Sequence, residues 1–362
     1  MKKLLTVLLA ALMVFALVGC GKKEETPAPA DGGDAAPAAE DDGVTKIAVL
    51  LPFTGDQSYF DTLANAAKEV NDADNNITVE VFECDPNGAA EESNWMNWYD
   101  NVCEDGEYDL VVSGNGTYEG FLYEACEKYP DQKFYNFDRS WIPEGGVPAN
   151  CYAVDWALDD LGYVVGALSA AVTKTGTVGV VVGMESQDMN QFIGGYCQVL
   201  AAKGVNYVIS YPGSFSDTAL GKEVTEDMIS KGADVIWQVA GGLGNGVIDA
   251  CSGHDDVWCI GVDQDQNYLA PENVLTSAMK RVDVSVFSLI EDVVNGTFEA
   301  GDKLYTLESG AVDIAPTTTL LSEEALAAVE TAKAAILSGD IVVPADRAAF
   351  AEKYGEGIYT LE

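Results

Sequence analysis

The sequence predicts an α/β protein of two doubly wound, Rossmann-like lobes that close on one another as a clamshell. Three observations carry this. From Thr45 onwards strand-like and helix-like stretches alternate, the pattern of parallel sheets with crossover helices. The alternation restarts once, after the turn-rich stretch IPEGGVPAN that ends at Asn150. Finally, 362 residues, 48% of them hydrophobic, are more than a single core usually organises.

Taken in order, Met1 to Cys20 reads MKKLLTVLLAALMVFALVGC: two lysines, an apolar run, then small residues ending in cysteine. This is a secretory signal, too short for a comfortable membrane span. Leu17-Val18-Gly19-Cys20 resembles the bacterial lipobox, so residues 1–20 are expected to be a leader and Cys20 the lipidation site. Acyl chains contribute ~0.8 kcal/mol per buried methylene, which anchors a protein at the extracytoplasmic face of the cell membrane without spanning it. Residues 21–44 are rich in Ala, Pro, Gly and acids with no aromatic; such a stretch cannot bury enough surface to offset its ordering entropy and reads as a disordered tether.

The first lobe is expected from KIAVLLPF (Lys46 to Phe53), ITVEVFE (Ile77 to Glu83), YDLVVSG (Tyr108 to Gly114) and KFYNFD (Lys133 to Asp138), with helices ending near Asn71, around Glu91 to Cys103, and over Tyr118 to Lys128. The first run is apolar throughout, as a strand covered on both faces must be. CYAVDW (Cys151 to Trp156) is read as opening the second lobe. TVGVVVG, VNYVISYP, a strand over Asp234 to Ala240 and one ending in Asp263 and Asp265 follow, with helices over Leu161 to Thr173, Asp188 to Lys203, Thr218 to Lys231 and Val247 to Cys251. A helix over Val282 to Asn295, stopped by Gly296, and one over Glu323 to Ser338 complete the body. The expected division is 45–150 with 280–305 for the N-terminal lobe, and 151–279 with 306–362 for the C-terminal lobe.

Composition removes several classes of function. Lys and Arg number 19 against 59 Asp and Glu, a formal charge of -40, which repels phosphate backbones and argues against nucleic-acid binding. The single histidine, His254, lies in the polar loop SGHDD, against both Ser-His-Asp catalysis and a multi-histidine metal site. Seven cysteines besides Cys20, with no CxxC pair, argue against a complete disulfide framework and leave one or two bridges open.

Ligand sites of open parallel sheets lie outside the carboxyl ends of the strands, and candidate residues gather there. Gly241, Gly242, Gly244 and Gly246 follow the strand at Asp234 to Ala240; the spacing is GGxGxG, not the dinucleotide GxGxxG, so no cofactor is expected. Glycines there either let backbone N–H groups approach a ligand or simply make a tight turn. Asp263 and Asp265 end the next strand, where they can grip hydroxyls or a cation, or are solvated loop acids; no twelve-residue calcium loop is present. Tyr59 and Phe60 lie in the loop after the first strand, available to stack on a planar base or to pack in the core. Asp138 closes KFYNFD, and Lys280 sits where the chain crosses back.

The chain resembles the basic membrane protein family, substrate-binding lipoproteins of ABC transporters that include the purine nucleoside receptor. The resemblance runs from Lys46 to Pro344. It is carried by TKTGTVGVVVGM (Thr173 to Met184), GADVIWQVAGGLGNGVIDA (Gly232 to Ala250) and IGVDQDQNYLAPENVLTSAMKRVDV (Ile260 to Val284), and more weakly by GDQSYFD (Gly55 to Asp61) and SGDIVVP (Ser338 to Pro344). It implies the type I periplasmic-binding fold and a nucleoside held between the lobes. It also implies permease and ATPase subunits as partners and no reaction; a monomer is expected because the working surface is the chain's own cleft. By motif it places Tyr59 on the base, Asp138 as a base-contacting acid, Gly241 as the glycine-loop contact, Asp263 on the ribose and Lys280 as the family's motif lysine. Asp56, Phe60, Asp61, Trp237 and Gly242 come second. Nucleoside-binding members carry an aspartate directly after the first strand, where this chain has Pro52-Phe53-Thr54; tyrosine replaces the stacking phenylalanine, and Phe60 an asparagine. These departures leave the base open, and a surface nucleoside hydrolase or a ligand-sensing lipoprotein of the same fold remains an alternative.

Overall fold

The computed structural model describes residues 43–71, 76–85, 93–114 and 118–344. The leader, Cys20, nearly all of the tether and the residues after Pro344 lie outside them. Two open sheets form the body. The first begins with β1 (Thr45–Leu51), β2 (Ile77–Glu83), β3 (Leu110–Ser113), β4 (Phe134–Asn136) and β5 (Cys151–Trp156); the second with β6 (Thr177–Val182), β7 (Asn206–Ser210), β8 (Val235–Val239), β9 (Trp258–Asp263) and β10 (Val274–Lys280). Each follows the order 2-1-3-4-5, so each has a topological switch point, beside β1 and β3 or beside β6 and β8. The sixth strands differ: β11 (Gly301–Tyr305) adds parallel to β5, whereas β12 (Val312–Ile314) adds antiparallel to β10.

Helices cover both faces, and their ends follow from local chemistry. α1 (Tyr59–Asn71), α2 (Ser93–Cys103) and α3 (Glu119–Lys128) serve the first sheet; α4 (Leu158–Val172), α5 (Gln187–Lys203), α6 (Thr218–Ser230) and α7 (Gly244–Ser252) the second. The Ser186 side chain accepts from Met189 N at the start of α5, and Gly204, at φ +69°, closes its end, a serine cap paired with a left-handed stop. α8 (Val282–Val294) packs on α1, while α9 (Glu323–Leu337) packs on α4. The α4–α5 contact is close because glycine permits it: a Cβ on Gly195 would stand 1.9 Å from the Asp159 carbonyl oxygen. The core strands β1, β3 and β8 are buried along nearly their whole length.

Two expectations change here. Cys151–Trp156 does not open the second lobe: Phe134, Tyr135 and Asn136 of β4 pair with Cys151, Tyr152 and Ala153. A strand followed by a helix reads alike whichever sheet it joins, and here the chain crosses to the other sheet only after Trp156. The strand β10 was also not anticipated. Its Thr276 and Ser277 interrupt the apolar pattern, yet both are buried; the Thr276 hydroxyl donates to Ala315 O and Ser277 Oγ accepts from Gln266 N, so their polarity is satisfied inside the fold. The chain crosses between sheets after β5, after β10 and after β11.

The seven described cysteines are all buried free thiols. Among the described residues, no helix is long and apolar enough to cross a membrane.

Candidate functional site

A cavity of about 640 Å³ lies between the carboxyl ends of the two sheets, a volume suited to a small organic ligand. Its walls come from the segment after β1 (Pro52, Phe53, Asp56, Tyr59, Phe60), the residues after β4 (Asp138, Ser140), the turn after β6 (Met184 to Met189), the glycine turn after β8 and the ends of β9 and β10. Every contributing strand presents its carboxyl end, as the shared topology requires.

At the centre lies an ion pair. Lys280, last residue of β10, places Nζ 2.6 Å from Asp138 Oδ1, and the Tyr59 hydroxyl donates to Asp138 Oδ2 at 2.6 Å. Lys280 Nζ also stands 5.0 Å from the Tyr59 ring centroid and 5.7 Å from that of Trp156, within cation–π range. Lys280 is 3% exposed; such a pair is costly to break from one side, because the remaining charge stays buried.

Asp263, at the end of β9, is 7% exposed and adopts φ +66°. That left-handed conformation turns its side chain out of the strand's alternation; aspartate tolerates it better than most residues. Its Oδ2 accepts from the Ser58 hydroxyl at 2.5 Å. Burial pushes its carboxyl up to about 6, against the lowering effects of Ser58 and Lys280, with Asp56 and Asp138 adding to the rise. Asp188 in the first turn of α5 is likewise raised by burial to about 6, and its Oδ2 accepts from the Ser140 hydroxyl.

The two rims are hydrogen-bonded across the cleft, so this is the closed arrangement. Besides Ser58–Asp263, Ser140–Asp188 and Asp138–Lys280, Gln266 Nε2 donates to Gln57 O at 2.8 Å and Asn245 Nδ2 to Asp56 O at 3.3 Å. Gln266, fully buried, also has its Oε1 fixed by Gln238 Nε2 and Val262 N.

Of the residues singled out from sequence, Tyr59, Asp138, Gly241, Asp263 and Lys280 all line the cavity, as do Asp56, Phe60 and Gly242. Two do not. Trp237 is a core residue, fully buried and packed against Phe192 and Tyr196; it sits mid-strand in β8, two residues before Val239, which does reach the wall. Asp61 accepts from Gly55 N and Gln57 N and shapes the loop instead of its wall. Asp56, although on the wall, spends its carboxylate on the N-terminus of α1, accepting from Ser58, Phe60 and Asp61 N; burial raises its pKa. Asp265 accepts from Thr317 and from Asn267 N and lies off the wall. Tyr59 and Phe60 open α1 and are not in a loop.

The glycine turn divides its labour. Gly241, at φ +53°, and Gly242 lie where a Cβ would stand 3.3 Å from the Phe215 carbonyl oxygen, so that loop and turn meet on the cavity wall. A Cβ on Gly246 would stand 1.9 Å from the Thr218 carbonyl oxygen, which makes that glycine a packing residue between α6 and α7. Sequence reasoning passed over Phe215, Ser58, Gln266, Ser140 and Asp188. Phe215 lies in a loop without periodicity; a Cβ on Gly183 would meet its ring at 2.2 Å, a close approach visible only in three dimensions.

Similarity to other proteins agrees with this architecture. The chain is 35% identical over 265 residues to the ABC transporter nucleoside-binding protein BmpA of Lactococcus lactis subsp. cremoris, covering 67% of this chain and 73% of that protein. It is 30% identical over 263 residues to basic membrane protein B of Borreliella burgdorferi, covering 71% and 76%. An ABC transporter solute-binding protein from Aeropyrum pernix K1 superimposes with a TM-score of 0.73 at 24% identity, over 88% of this chain and all of that one, a likeness of fold. The family described as ABC transporter substrate-binding protein PnrA-like matches residues 44–347, across both sheets and the cavity between them, and the chain belongs to this Bmp family of ABC transporter substrate-binding proteins.

Proposed function

We propose that the protein captures a purine nucleoside in this cleft and delivers it to a membrane permease, performing no reaction. The carrying observation is the wall chemistry: aromatic side chains from both lobes (Phe53, Tyr59 and Phe60; Phe192 and Phe215) share the cavity with buried Asp263 and the Asp138–Lys280 pair. Planar faces suit a base and a buried carboxylate suits a diol. In this reading Asp263 takes the ribose hydroxyls, while Tyr59, tied to Asp138 by its hydroxyl, offers its ring edge or face to the base together with Phe60 and Phe215. Gly241 brings backbone close to the ligand. The relative from Lactococcus lactis, named as nucleoside-binding, supports the ligand class.

The moving bodies are 45–156 with 282–305, and 158–280 with 312–344, hinged at the three crossings. The protein works as a monomer, tethered by residues 21–44 to a lipid on Cys20 at the extracytoplasmic face of the cell membrane, with permease and ATPase subunits as partners. Isothermal calorimetry of the purified protein against nucleosides, free bases and sugars tests the ligand class: purine nucleosides should bind with micromolar or tighter affinity. Clear heat with another solute and none with any nucleoside would overturn it. Replacing Cys20 with alanine should release the protein from the membrane fraction.

A further inference from the structure

We propose that Asp188 is a specificity-determining residue that selects ligands whose base edge donates an N–H. The inference rests on the nucleoside reading above and extends it to the end of the cavity opposite the ribose.

The acids of the cavity are not equally available. Asp138 has one oxygen on Lys280 and the other on the Tyr59 hydroxyl. Asp56 has both oxygens on backbone N–H groups of α1. Asp188 meets one side-chain donor among the described residues, the Ser140 hydroxyl, and that bond uses Oδ2. Ser140 is itself aimed: its backbone N–H donates to Glu119 Oε2 at 3.1 Å, and fully buried Glu119 is held in turn by Tyr123 and Asn136. The second oxygen of Asp188 is therefore, like that of Asp263, an acceptor available to a ligand.

Its position fits the far end of a nucleoside. The Ser58–Asp263 bond joins the ends of β1 and β9, and the Ser140–Asp188 bond joins the segments after β4 and β6. Since β3 lies between β1 and β4 and β8 between β6 and β9, the two acids stand at different places along the cleft. With Asp263 on the hydroxyls of the sugar, Asp188 faces the base. Phe192, one turn along α5 and also on the cavity wall, supplies an apolar surface beside it. Once a bound ligand covers half-buried Asp188 and excludes water, a carboxylate oxygen without a donor costs roughly tenfold or more in affinity, so a base offering an amino or ring N–H is favoured over one offering none.

Calorimetry with adenosine, guanosine and purine riboside tests this, since purine riboside keeps the ring system and the ribose but carries no N–H on its six-membered ring. The wild-type protein should prefer adenosine and guanosine over purine riboside by roughly tenfold or more. In Asp188→Ala that preference should shrink to within about threefold. Asp188→Asn keeps the shape without the charge and should shrink it in the same direction, which decides the matter should the alanine variant not fold by circular dichroism. Wild-type protein that binds purine riboside as tightly as adenosine, or a folded variant with an unchanged preference, would overturn the role of Asp188 alone. Absence of binding by all three nucleosides would overturn the nucleoside reading as well.

Discussion

Asp263→Asn isolates what it costs to hold an ionised carboxyl at the floor of a closed cleft. The residue is 7% exposed, and burial pushes its carboxyl from the usual 3.8 up to about 6. That rise corresponds to about 3 kcal/mol between the protonated and ionised forms. The sign follows from linkage. A folded pKa above the unfolded one gives a stabilising contribution fully present below about 3.8 and lost as pH rises through about 6. At pH 7.5 the wild-type ligand-free protein therefore carries the full penalty, and the amide, which still accepts from Ser58, does not. Urea or thermal unfolding should show Asp263→Asn more stable at pH 7.5 by about 1 to 3 kcal/mol, on the order of 5 °C in Tm, with the difference vanishing near pH 4. Nucleoside affinity should fall in the same variant, since a charge-assisted acceptor is replaced by a neutral one. A variant less stable than wild type at pH 7.5, or a gap that does not change with pH, would refute the assignment of the shift to burial.

Lys280→Ala should destabilise the protein by about 3 to 5 kcal/mol, because it strands the Asp138 carboxylate in a buried site; denaturant titration checks this, and a loss below 1 kcal/mol would contradict the buried pair. Phe215→Ala and Trp237→Ala separate wall from core. The first should weaken nucleoside binding by roughly 1 to 3 kcal/mol, the scale of base stacking, with little change in Tm, and the second should cost about 3 to 5 kcal/mol of stability; calorimetry and unfolding on the same two variants distinguish them. Small-angle scattering of ligand-free protein should show a smaller radius of gyration at pH 5 than at pH 7.5, as protonation of Asp263 and Asp188 relieves the closed form; an unchanged radius would count against that coupling.

Much of the fold was legible because the sheet strands are apolar on both faces and the loops between them are rich in turn residues. β1 and β6 to β9 could be read in this way, and so could the rim on which Tyr59, Asp138, Gly241, Asp263 and Lys280 gather. What escaped was set by partners distant in sequence. Thr276 and Ser277 look unlike sheet residues until Ala315 and Gln266 meet them. Cys151–Trp156 carries no mark of which sheet it joins. Trp237 falls inside the most family-like segment, yet it packs against Phe192 and Tyr196, and Val239, two residues further along the same face, reaches the wall instead. Ser58 and Asp263 are 205 residues apart, and no local pattern announces that they touch.

The same cross-cleft bonds bear on how closure depends on ligand. Ser58 to Asp263, Ser140 to Asp188 and Gln266 to the Gln57 carbonyl each contribute about 1 kcal/mol towards closing. Each of the two acids loses water as it is covered, which opposes closing by a similar or larger amount at neutral pH. These contributions oppose one another, and a ligand shifts the population only by its differential affinity for the closed form. A solute that donates to Asp263 and to Asp188 turns both opposing contributions into favourable ones at once, whereas an anionic solute adds charge to an already acidic cavity. In the proposed reading, closure and selectivity draw on the same two carboxylates. Lys280 links them to the crossings: its ammonium stands over Trp156, which stacks on Tyr305 at 5.2 Å, and these three residues immediately precede the three crossings between the sheets.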